Sequence, residues 1–490
     1  MMKRLLSSQL RRNMASGLVV TAANTIAGLV AYPFYLSYLG AETYGLWLVL
    51  SVVLTFSLIG MLGIPDAIVK LVSEAQGDGN SCGINRCVST ALLILCAMGL
   101  AIVVIVFALR RPIVSILGVA PLQSTRALCY VPLIAVLSMY VFIVEAHNAV
   151  LSGLGRMDQA NYVRSIGRLT MPAVCIALLA LGFGLKSLLI GNATGYVVTH
   201  IASAICIHRL HRGRLIQIRY WDRKWAGRIL GFGGAVSAMS LLNMLLDPFN
   251  KLILTRCVGL QTVPVYEISC RLSQQLRSLF QTILRALLPE ISREYGSRTP
   301  DAVERIRKLN WRSVRLVITV ALPVYILLMF VATPLLKAWL GNGYMEAMPG
   351  MLRILLMASF LCLLATPIAF VLLAMGWVRF GLYTSVIQAV TNVVILIGVL
   401  TAGIPLSVHL VGWITLAAMA AADIYMFICG RIAFRRLHGS QQELEVPKSY
   451  SVRTAFGPKV PASVRLCPSD VKDSSRTAQG SEIPSYQEKG

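Results

Sequence analysis

The side chains with the clearest chemical potential lie in an apolar stretch around position 275. At about 100° of rotation per helical residue, six polar residues there share one stripe about 80° wide. They are Glu267, Arg271, Gln274, Ser278, Gln281 and Arg285. The stripe runs for about 27 Å along a helix axis, nearly the thickness of a bilayer core. Because such a stripe would be very costly against lipid, it is predicted to line a polar interior.

The preceding apolar stretch adds a second group of charges. Asp247 lies four residues before Lys251, and Glu267 lies four residues before Arg271. At this spacing each acid could simply neutralise the base on its own helix. Pro248 removes a helical hydrogen bond here, which suits a hinge or a binding site. Against these two acids, the spans of this half contain five bases, namely Lys251, Arg271, Arg277, Arg285 and Arg353. This excess of cations predicts a site for phosphate or pyrophosphate, because guanidinium forks match phosphate oxygens.

The N-terminal half has fewer polar residues in its apolar stretches. Glu145 could pair with Arg164 or Arg168 of the next stretch, or could serve a coupling ion. Asn24 belongs to a stripe of small and polar residues that suits either close helix packing or a cavity wall. The predicted substrate-binding residues are the five bases together with Gln274, Gln281 and Asn24. The candidates for ion coupling are Glu267, Asp247 and Glu145.

The composition excludes a water-soluble enzyme. Of 490 residues, 56% are hydrophobic and 13% are charged, whereas soluble domains have about 25% charged residues. So few charges could not cover the surface of a soluble fold of this length. The net charge of +24 comes from Lys and Arg between apolar spans, which is typical of membrane proteins and argues against nucleic-acid binding.

Roughly twelve apolar stretches are long enough to cross a bilayer as helices. They cover residues 16–39, 44–69, 87–109, 127–152, 160–182, 187–207, 229–255, 262–288, 313–338, 350–374, 379–401 and 405–430. Basic residues cluster before the first span and after the sixth and eighth, so both termini are predicted to be cytoplasmic. The predicted fold is an all-α, multi-pass membrane protein.

The order of prolines and glycines indicates two halves of six helices. The first span contains Pro33 followed by Gly40, and the seventh contains Pro248 followed by Gly259. An even number of spans gives both halves the same orientation and places the substrate path between them. The predicted parts are an N-terminal lobe over 1–208, a basic cytoplasmic linker over 209–228, a C-terminal lobe over 229–430 and a disordered cytoplasmic tail over 431–490.

Catalytic residues, a metal site and a cofactor are not expected. The 11 cysteines lie mostly in apolar spans and form no C-x-x-C pair, so they are interpreted as small buried hydrophobic residues. The longest internal loops have about 20 residues, which is too short for an independent active-site domain.

Four runs of the sequence carry a resemblance to a known family by their order along the chain. They are Tyr38–Trp47, Leu62–Lys70, Ser152–Asn161 and Ala286–Ser292. Over residues 10–430 the chain resembles the multidrug/oligosaccharidyl-lipid/polysaccharide exporter superfamily, and most of all its flippases for O-antigen and exopolysaccharide. The resemblance implies a V-shaped body of two lobes, alternating access and a cationic cavity. It also implies the bacterial cytoplasmic (inner) membrane as the location.

The leading hypothesis is a flippase for undecaprenyl-pyrophosphate-linked oligosaccharides, with the pyrophosphate near Arg271, Arg285 and Lys251. Its partners would be this polyprenyl-linked glycan, the lipid bilayer, and a polysaccharide polymerase with its chain-length machinery. One alternative is a cation-coupled drug antiporter, but its pocket should offer uncompensated acids, and this one offers mainly bases. Another is a peptidoglycan-precursor flippase, but that family typically has fourteen spans, and this chain has about twelve. A membrane polymerase or glycosyltransferase would need a large external loop, so no enzyme activity is predicted. Replacing Arg271 or Arg285 by alanine should abolish surface polysaccharide without loss of membrane insertion.

Overall fold

The computed structural model describes residues 8–61, 63–119, 121–210, 220–285, 288–297, 301–375, 377 and 379–443. Fifteen α-helices make up most of this part of the chain, which contains no β-strand. The first half contains α1 (Ser8–Ile59), α2 (Ile64–Gly77), α3 (Ser81–Ala108), α4 (Arg110–Leu117), α5 (Pro121–Gly153), α6 (Met157–Ala180) and α7 (Lys186–Leu210). The second half contains α8 (Arg223–Cys257), α9 (Val263–Leu284), α10 (Leu288–Ser297), α11 (Ala302–Leu316), α12 (Leu322–Leu340), α13 (Ala347–Ala374), α14 (Arg379–Thr401) and α15 (Val408–Glu443). The all-α prediction is confirmed.

Helix α1 contains the first two membrane spans. Its backbone leaves helical geometry at Gly40, where φ is 73° and ψ is 164°, so two helical segments meet there. Glycine takes this conformation without the clash that a Cβ atom would cause. The second segment ends at Ile59, and α2 begins after Gly63, which has a left-handed φ of 63°, with Pro65 in its first turn. The span predicted over 44–69 is therefore interrupted rather than continuous.

The described helices account for about twelve spans, as predicted. Nine segments have the length and hydropathy needed to cross a bilayer, and one of them, Thr25–Phe56, contains the Gly40 turn and so parts of two spans. Helices α8 and α9 lie outside these nine but have 35 and 22 residues, enough to cross at about 1.5 Å per residue.

The second half repeats backbone features of the first. Gly259, with φ of 116°, lies between α8 and α9 as Gly40 lies between the two segments of α1. Pro289 is then in the first turn of α10, as Pro65 is in α2. The second span of each half is therefore followed by a short helix with a proline in its first turn.

Several segments differ from the predicted layout. The short helix α4 follows the third span where a loop was expected. Helix α11 is amphipathic and continues through a π-helical turn at Val317–Ala321 into α12. Helix α15 extends to Glu443, and Ala433 is buried in a cluster with Ile291 and Ile306. Residues 431–443 are therefore helical, whereas the sequence predicted a disordered tail from 431 onwards. Within the predicted linker, residues 211–219 lie outside the described residues, as do residues 444–490.

The outer surface of the bundle is apolar. Phe330, Leu327 and Val394 expose 78%, 61% and 61% of their surface. A lipid environment explains such exposure, since soluble proteins rarely show extensive apolar patches. The largest buried apolar cluster contains residues of both halves, such as Leu46 and Tyr266, and so packs the halves together.

Candidate transport site

A cavity of about 520 Å³, called here the central cavity, lies between the two halves of the chain. Helices α1, α6 and α7 form one wall, and α9 forms the other. Its volume is typical of small-ligand sites. The polar and aromatic lining residues are Thr25, Tyr32, Tyr35, Tyr44, Trp47, Arg168, Asn192, Glu267, Arg271, Gln274 and Gln275. A polar solute here would contact both halves at once.

Arg271 presents its guanidinium group to the central cavity. Its Nε donates to Glu267 Oε1 at 2.8 Å, and 54% of its side chain is exposed. A guanidinium group has five N–H donors, and this bond uses one of them. The terminal nitrogens can therefore form the paired hydrogen bonds that arginine makes with phosphate.

Four charged residues form a continuous chain from the central cavity into the C-terminal half. Beyond Arg271, Glu267 Oε2 lies 2.7 Å from Lys251 Nζ, which also lies 2.7 Å from Asp247 Oδ2. The side chains of Glu267 and Lys251 are each only 6% exposed. The signs alternate along the chain, so each of these two buried charges has an opposite charge on either side, as burial requires. Both predicted i,i+4 pairs, Asp247–Lys251 and Glu267–Arg271, are present, and the contact between Lys251 and Glu267 connects them.

A second cavity of about 260 Å³, called here the inner cavity, lies within the C-terminal half. Its polar lining residues are Asp247, Asn250, Tyr266, Ser273, Gln274, Arg277, Ser359, Gln388, Asn392 and Thr415. The side-chain oxygens of Asn250 and Asn392 are buried, and neither accepts a hydrogen bond from a described residue. Since Asp247 lines this cavity and Arg271 lines the other, the charge chain connects the two.

The predicted stripe on α9 divides between several environments. Glu267, Arg271 and Gln274 line the central cavity. Gln281 instead donates to the Thr366 hydroxyl of α13 at 3.4 Å, and Arg285 is exposed just beyond the last residue of α9. The stripe is therefore not one continuous wall, because Gln281 is turned toward α13 and Arg285 lies beyond the end of α9.

Another predicted site residue, Arg353, lies away from the described walls of both cavities. Arg353 binds α12, through the Met329 carbonyl oxygen at 2.9 Å and the Thr333 hydroxyl at 3.1 Å. Asn24 is part of α1, but its side chain lies outside the described residues. The third predicted coupling acid, Glu145, pairs with Arg164 at 3.3 Å.

The N-terminal wall supplies an arginine that sequence reasoning did not assign to the site. Arg168 of α6 lines the central cavity together with Arg271. In the sequence it was considered only as a partner for Glu145, whose salt bridge is with Arg164. A signal was present: Arg168 lies one helical turn after Arg164, so both arginines lie on the same face of the span.

Aromatic side chains of α1 form much of the remaining N-terminal wall. Tyr32, Tyr35, Tyr44 and Trp47 all line the central cavity, and the rings of Tyr35 and Tyr44 lie 5.6 Å apart. Tyrosine and tryptophan combine an apolar body with a polar tip. This wall can therefore contact both the ring faces and the hydroxyl groups of a sugar.

The two halves are in contact on the side away from the predicted cytoplasmic loops. Trp339 Nε1 donates to the Leu29 carbonyl oxygen at 2.8 Å, and Arg256 donates to the Ser115 carbonyl oxygen at 2.9 Å. Gly45 packs so closely on the backbone between α8 and α9 that a larger residue would clash. These contacts close the central cavity on that side.

Residues 38–349 match the family model described as polysaccharide biosynthesis protein. The chain belongs to this family. A protein of Shigella flexneri described as a candidate O-antigen transporter is 20% identical over 344 residues, which cover 70% of this chain and 80% of that protein.

Solved structures show the fold of this polysaccharide biosynthesis protein. An inward-facing multidrug resistance transporter of the MATE family, in the MOP superfamily, has a TM-score of 0.69 at 17% identity, covering 90% of this chain and 97% of that one. The lipid II flippase MurJ in an inward closed conformation has a TM-score of 0.70 at 13% identity, covering 88% and 91%. The predicted superfamily and its two-lobe transporter fold are confirmed. The family member is a multi-pass membrane protein.

Proposed function

We propose that this protein is a flippase for undecaprenyl-pyrophosphate-linked oligosaccharides in the bacterial cytoplasmic membrane, with both termini in the cytoplasm. The observation that carries the proposal is that Arg168 and Arg271, one from each half, line the same cavity. The family match supports the link to polysaccharide biosynthesis. The descriptions of the Shigella flexneri relative and of MurJ support a substrate that is a glycan on a lipid carrier.

The geometry suits the headgroup of such a substrate. The terminal nitrogens of Arg271 can bind one phosphate of the pyrophosphate, while Arg168 supplies positive charge from the opposite half. The sugars would lie against the aromatic wall, and the polyprenyl chain would remain in the bilayer. Because the headgroup contacts both halves, it stays bound while the cavity changes the side to which it opens.

The other predicted residues have supporting roles in this proposal. Lys251 holds Glu267, which in turn orients Arg271, so the lysine acts on the substrate indirectly. We assign Arg285 to the cytoplasmic entrance, where it would meet the headgroup first. Arg277 and Gln274 border the inner cavity, whereas Gln281 and Arg353 bind neighbouring helices.

We further propose that transport is coupled to a cation or proton through Asp247. Of the three predicted acids, Glu267 is held by two bases and Glu145 by Arg164. Asp247 also contacts a base, Lys251, but its side chain is 33% exposed and it lines a cavity in which two amide oxygens lack donors among the described residues. Carboxylate and amide oxygens are ligands for hard cations.

A cation-coupled drug antiporter is less well supported, although a MATE structure shares the fold. A site for cationic drugs should present acids without bases, as argued from the sequence. The acid described in the wall of the central cavity, Glu267, already contacts Lys251 and Arg271. The cavity therefore favours an anionic headgroup.

The arginines of the central cavity provide the direct test. In a strain that lacks its own flippase, Arg168→Ala and Arg271→Ala are each expected to abolish surface polysaccharide, because each removes cationic charge from the headgroup site. Arg271→Lys should restore part of it, since lysine keeps the charge but loses the fork. Polymer is measured by gel staining, and membrane insertion by immunoblotting of membranes.

Arg164→Ala is the matched control, because Arg164 is one turn from Arg168 on α6 but is absent from the described cavity wall. We expect near-normal polymer from it, and partial loss from Arg285→Ala at the entrance. Normal polymer in both Arg168→Ala and Arg271→Ala would contradict the proposal.

A further inference from the structure

A groove of about 1150 Å³ lies between α11 and α15, and Ile368 of α13 contributes to its floor. Its lining residues recur every three or four positions on both helices, from Glu304 to Arg315 and from Ile424 to Arg435. That spacing places them on one face of each helix. None of the residues described in this groove lines the central or the inner cavity. It is a separate site.

The groove carries a large excess of positive charge. Its lining contains one acid, Glu304, and six bases, namely Arg307, Lys308, Arg312, Arg315, Arg431 and Arg435. The carboxylate of Glu304 lies 3.7 Å from the Lys308 ammonium group, so the single acid of the groove is paired with its single lysine. Within the part of the chain that the structure describes, the five arginines form no salt bridge. Arginine clusters of this kind bind phosphate groups.

Charge and apolar surface are separated along α15. Arg431 follows Ile424 by seven residues, or about 10 Å along the helix. Ile424 and Ile428 are 60% and 51% exposed. On α11, Trp311 is 60% exposed, and tryptophan is enriched where hydrocarbon meets water. On α15 the groove thus presents cations at one end and a lipid-accessible apolar surface at the other, while α11 contributes bases along its length.

The cations lie at the level of the predicted cytoplasmic surface. Helix α11 enters the membrane through α12, and α15 leaves it at the same side, where the basic loops are. The tail does not offer a neutralising charge, because residues 444–490 contain seven Lys or Arg and five Asp or Glu. The five arginines are exposed, so their guanidinium groups are accessible to an anion from outside the chain.

We propose that this groove binds an acidic glycerophospholipid of the cytoplasmic leaflet. The phosphodiester contacts the arginines of both helices, and an acyl chain lies along Ile424 and Ile428. Basic pockets between membrane helices on the cytoplasmic side bind acidic headgroups in this way. The bound lipid bridges α11 and α15. The proposal does not depend on the proposed transport function.

The test compares two variants that lose the same charge. The groove variant carries Arg312→Gln, Arg315→Gln, Arg431→Gln and Arg435→Gln. The control variant carries Arg209→Gln, Arg223→Gln, Lys224→Gln and Arg293→Gln, which are exposed bases outside the groove. Full-length protein in detergent is titrated with phosphatidylglycerol or phosphatidylcholine, and retained lipid is measured by native mass spectrometry. Size-exclusion chromatography checks that each variant is folded.

Wild type is expected to prefer phosphatidylglycerol, and the groove variant should lose that affinity by at least about tenfold. The control should stay within about twofold of wild type. A variant with lysine at the same four groove positions should recover most binding, which separates a charge effect from misfolding. Equal losses in the groove and control variants, or no loss in either, would overturn the proposal. So would displacement of phosphatidylglycerol by an equal amount of polyprenyl pyrophosphate, which would make the groove part of the substrate route.

Discussion

At the scale of single residues, the buried carboxylate of Glu267 organises the site. It contacts Lys251 at 2.7 Å and Arg271 at 2.8 Å while only 6% of its side chain is exposed. Glu74 makes a similar pair of contacts, to Lys70 at 3.9 Å and Arg228 at 2.9 Å, but its side chain is 45% exposed. The two glutamates differ mainly in burial, so they allow the energetic effect of burial to be measured.

Glu267→Gln is expected to destabilise the protein by about 1.5–3 kcal/mol, because it weakens the charged hydrogen bonds to Lys251 and Arg271 while Lys251 keeps Asp247 as a partner. Glu74→Gln should cost about 1 kcal/mol or less, since water screens an exposed pair. Thermal unfolding in detergent measures both. Equal melting temperatures for the two variants would show that Glu267 does not hold the charge chain together.

At the scale of elements, the contact between α1 and the α8–α9 connection closes one side of the cavity. Gly45 allows this approach because it has no side chain, and the nearest atom is the backbone oxygen of Leu260, which cannot rotate away. Gly231 of α8 is also within a helix, but a Cβ atom there would meet nothing within 4 Å. The same substitution at the two glycines therefore distinguishes an effect on the helix itself from an effect on the contact between the two halves.

Gly45→Val is expected to favour the state that opens away from the cytoplasm, because the added side chain separates the two halves there. In a chain whose native cysteines are replaced, a cysteine at Leu36, which is buried against Gly343 of the other half, should then react faster with an impermeant maleimide added from outside. Gly231→Val has the same change in helix propensity and should leave the rate unaltered. An unchanged rate in Gly45→Val would mean that this contact does not control the closed state.

At the scale of the whole molecule, the charge chain joins the two cavities. Lys251 contacts Asp247 of the inner cavity and Glu267 of the central one. A cation or proton at Asp247 would leave Lys251 to pair with Glu267 alone, which weakens the hold of Glu267 on Arg271. In the proposed mechanism the two sites would therefore influence each other reciprocally, as linkage requires.

Flipping of a lipid-linked oligosaccharide into vesicles should accordingly depend on an imposed proton or sodium gradient. We expect Asp247→Asn to remove the dependence while keeping the protein folded, since Lys251 retains Glu267 as a partner. Glu145→Gln, in the other half, should keep the dependence. Transport by the wild type at the same rate with and without a gradient would exclude coupling through Asp247.

The sequence indicated the class of fold and the local ion pairs. Apolar stretches of membrane length, broken by Gly40 and Gly259, gave about twelve helices, and the i,i+4 spacing gave the Asp247–Lys251 and Glu267–Arg271 pairs. These features are local, so helical geometry alone relates them to the sequence. The break of the second span at Gly63 was missed because hydropathy averages over such a turn.

Contacts between distant helices were decided only by the tertiary structure. The pairing of Lys251 with Glu267, the entry of Arg168 into the cavity and the turning of Gln281 toward Thr366 each depend on how helices pack. A helical wheel gives the direction of a side chain relative to its own axis but not the neighbour it meets. The sequence by itself therefore determined which residues are polar within the membrane, and packing determined which of them neutralise one another and which face the cavity.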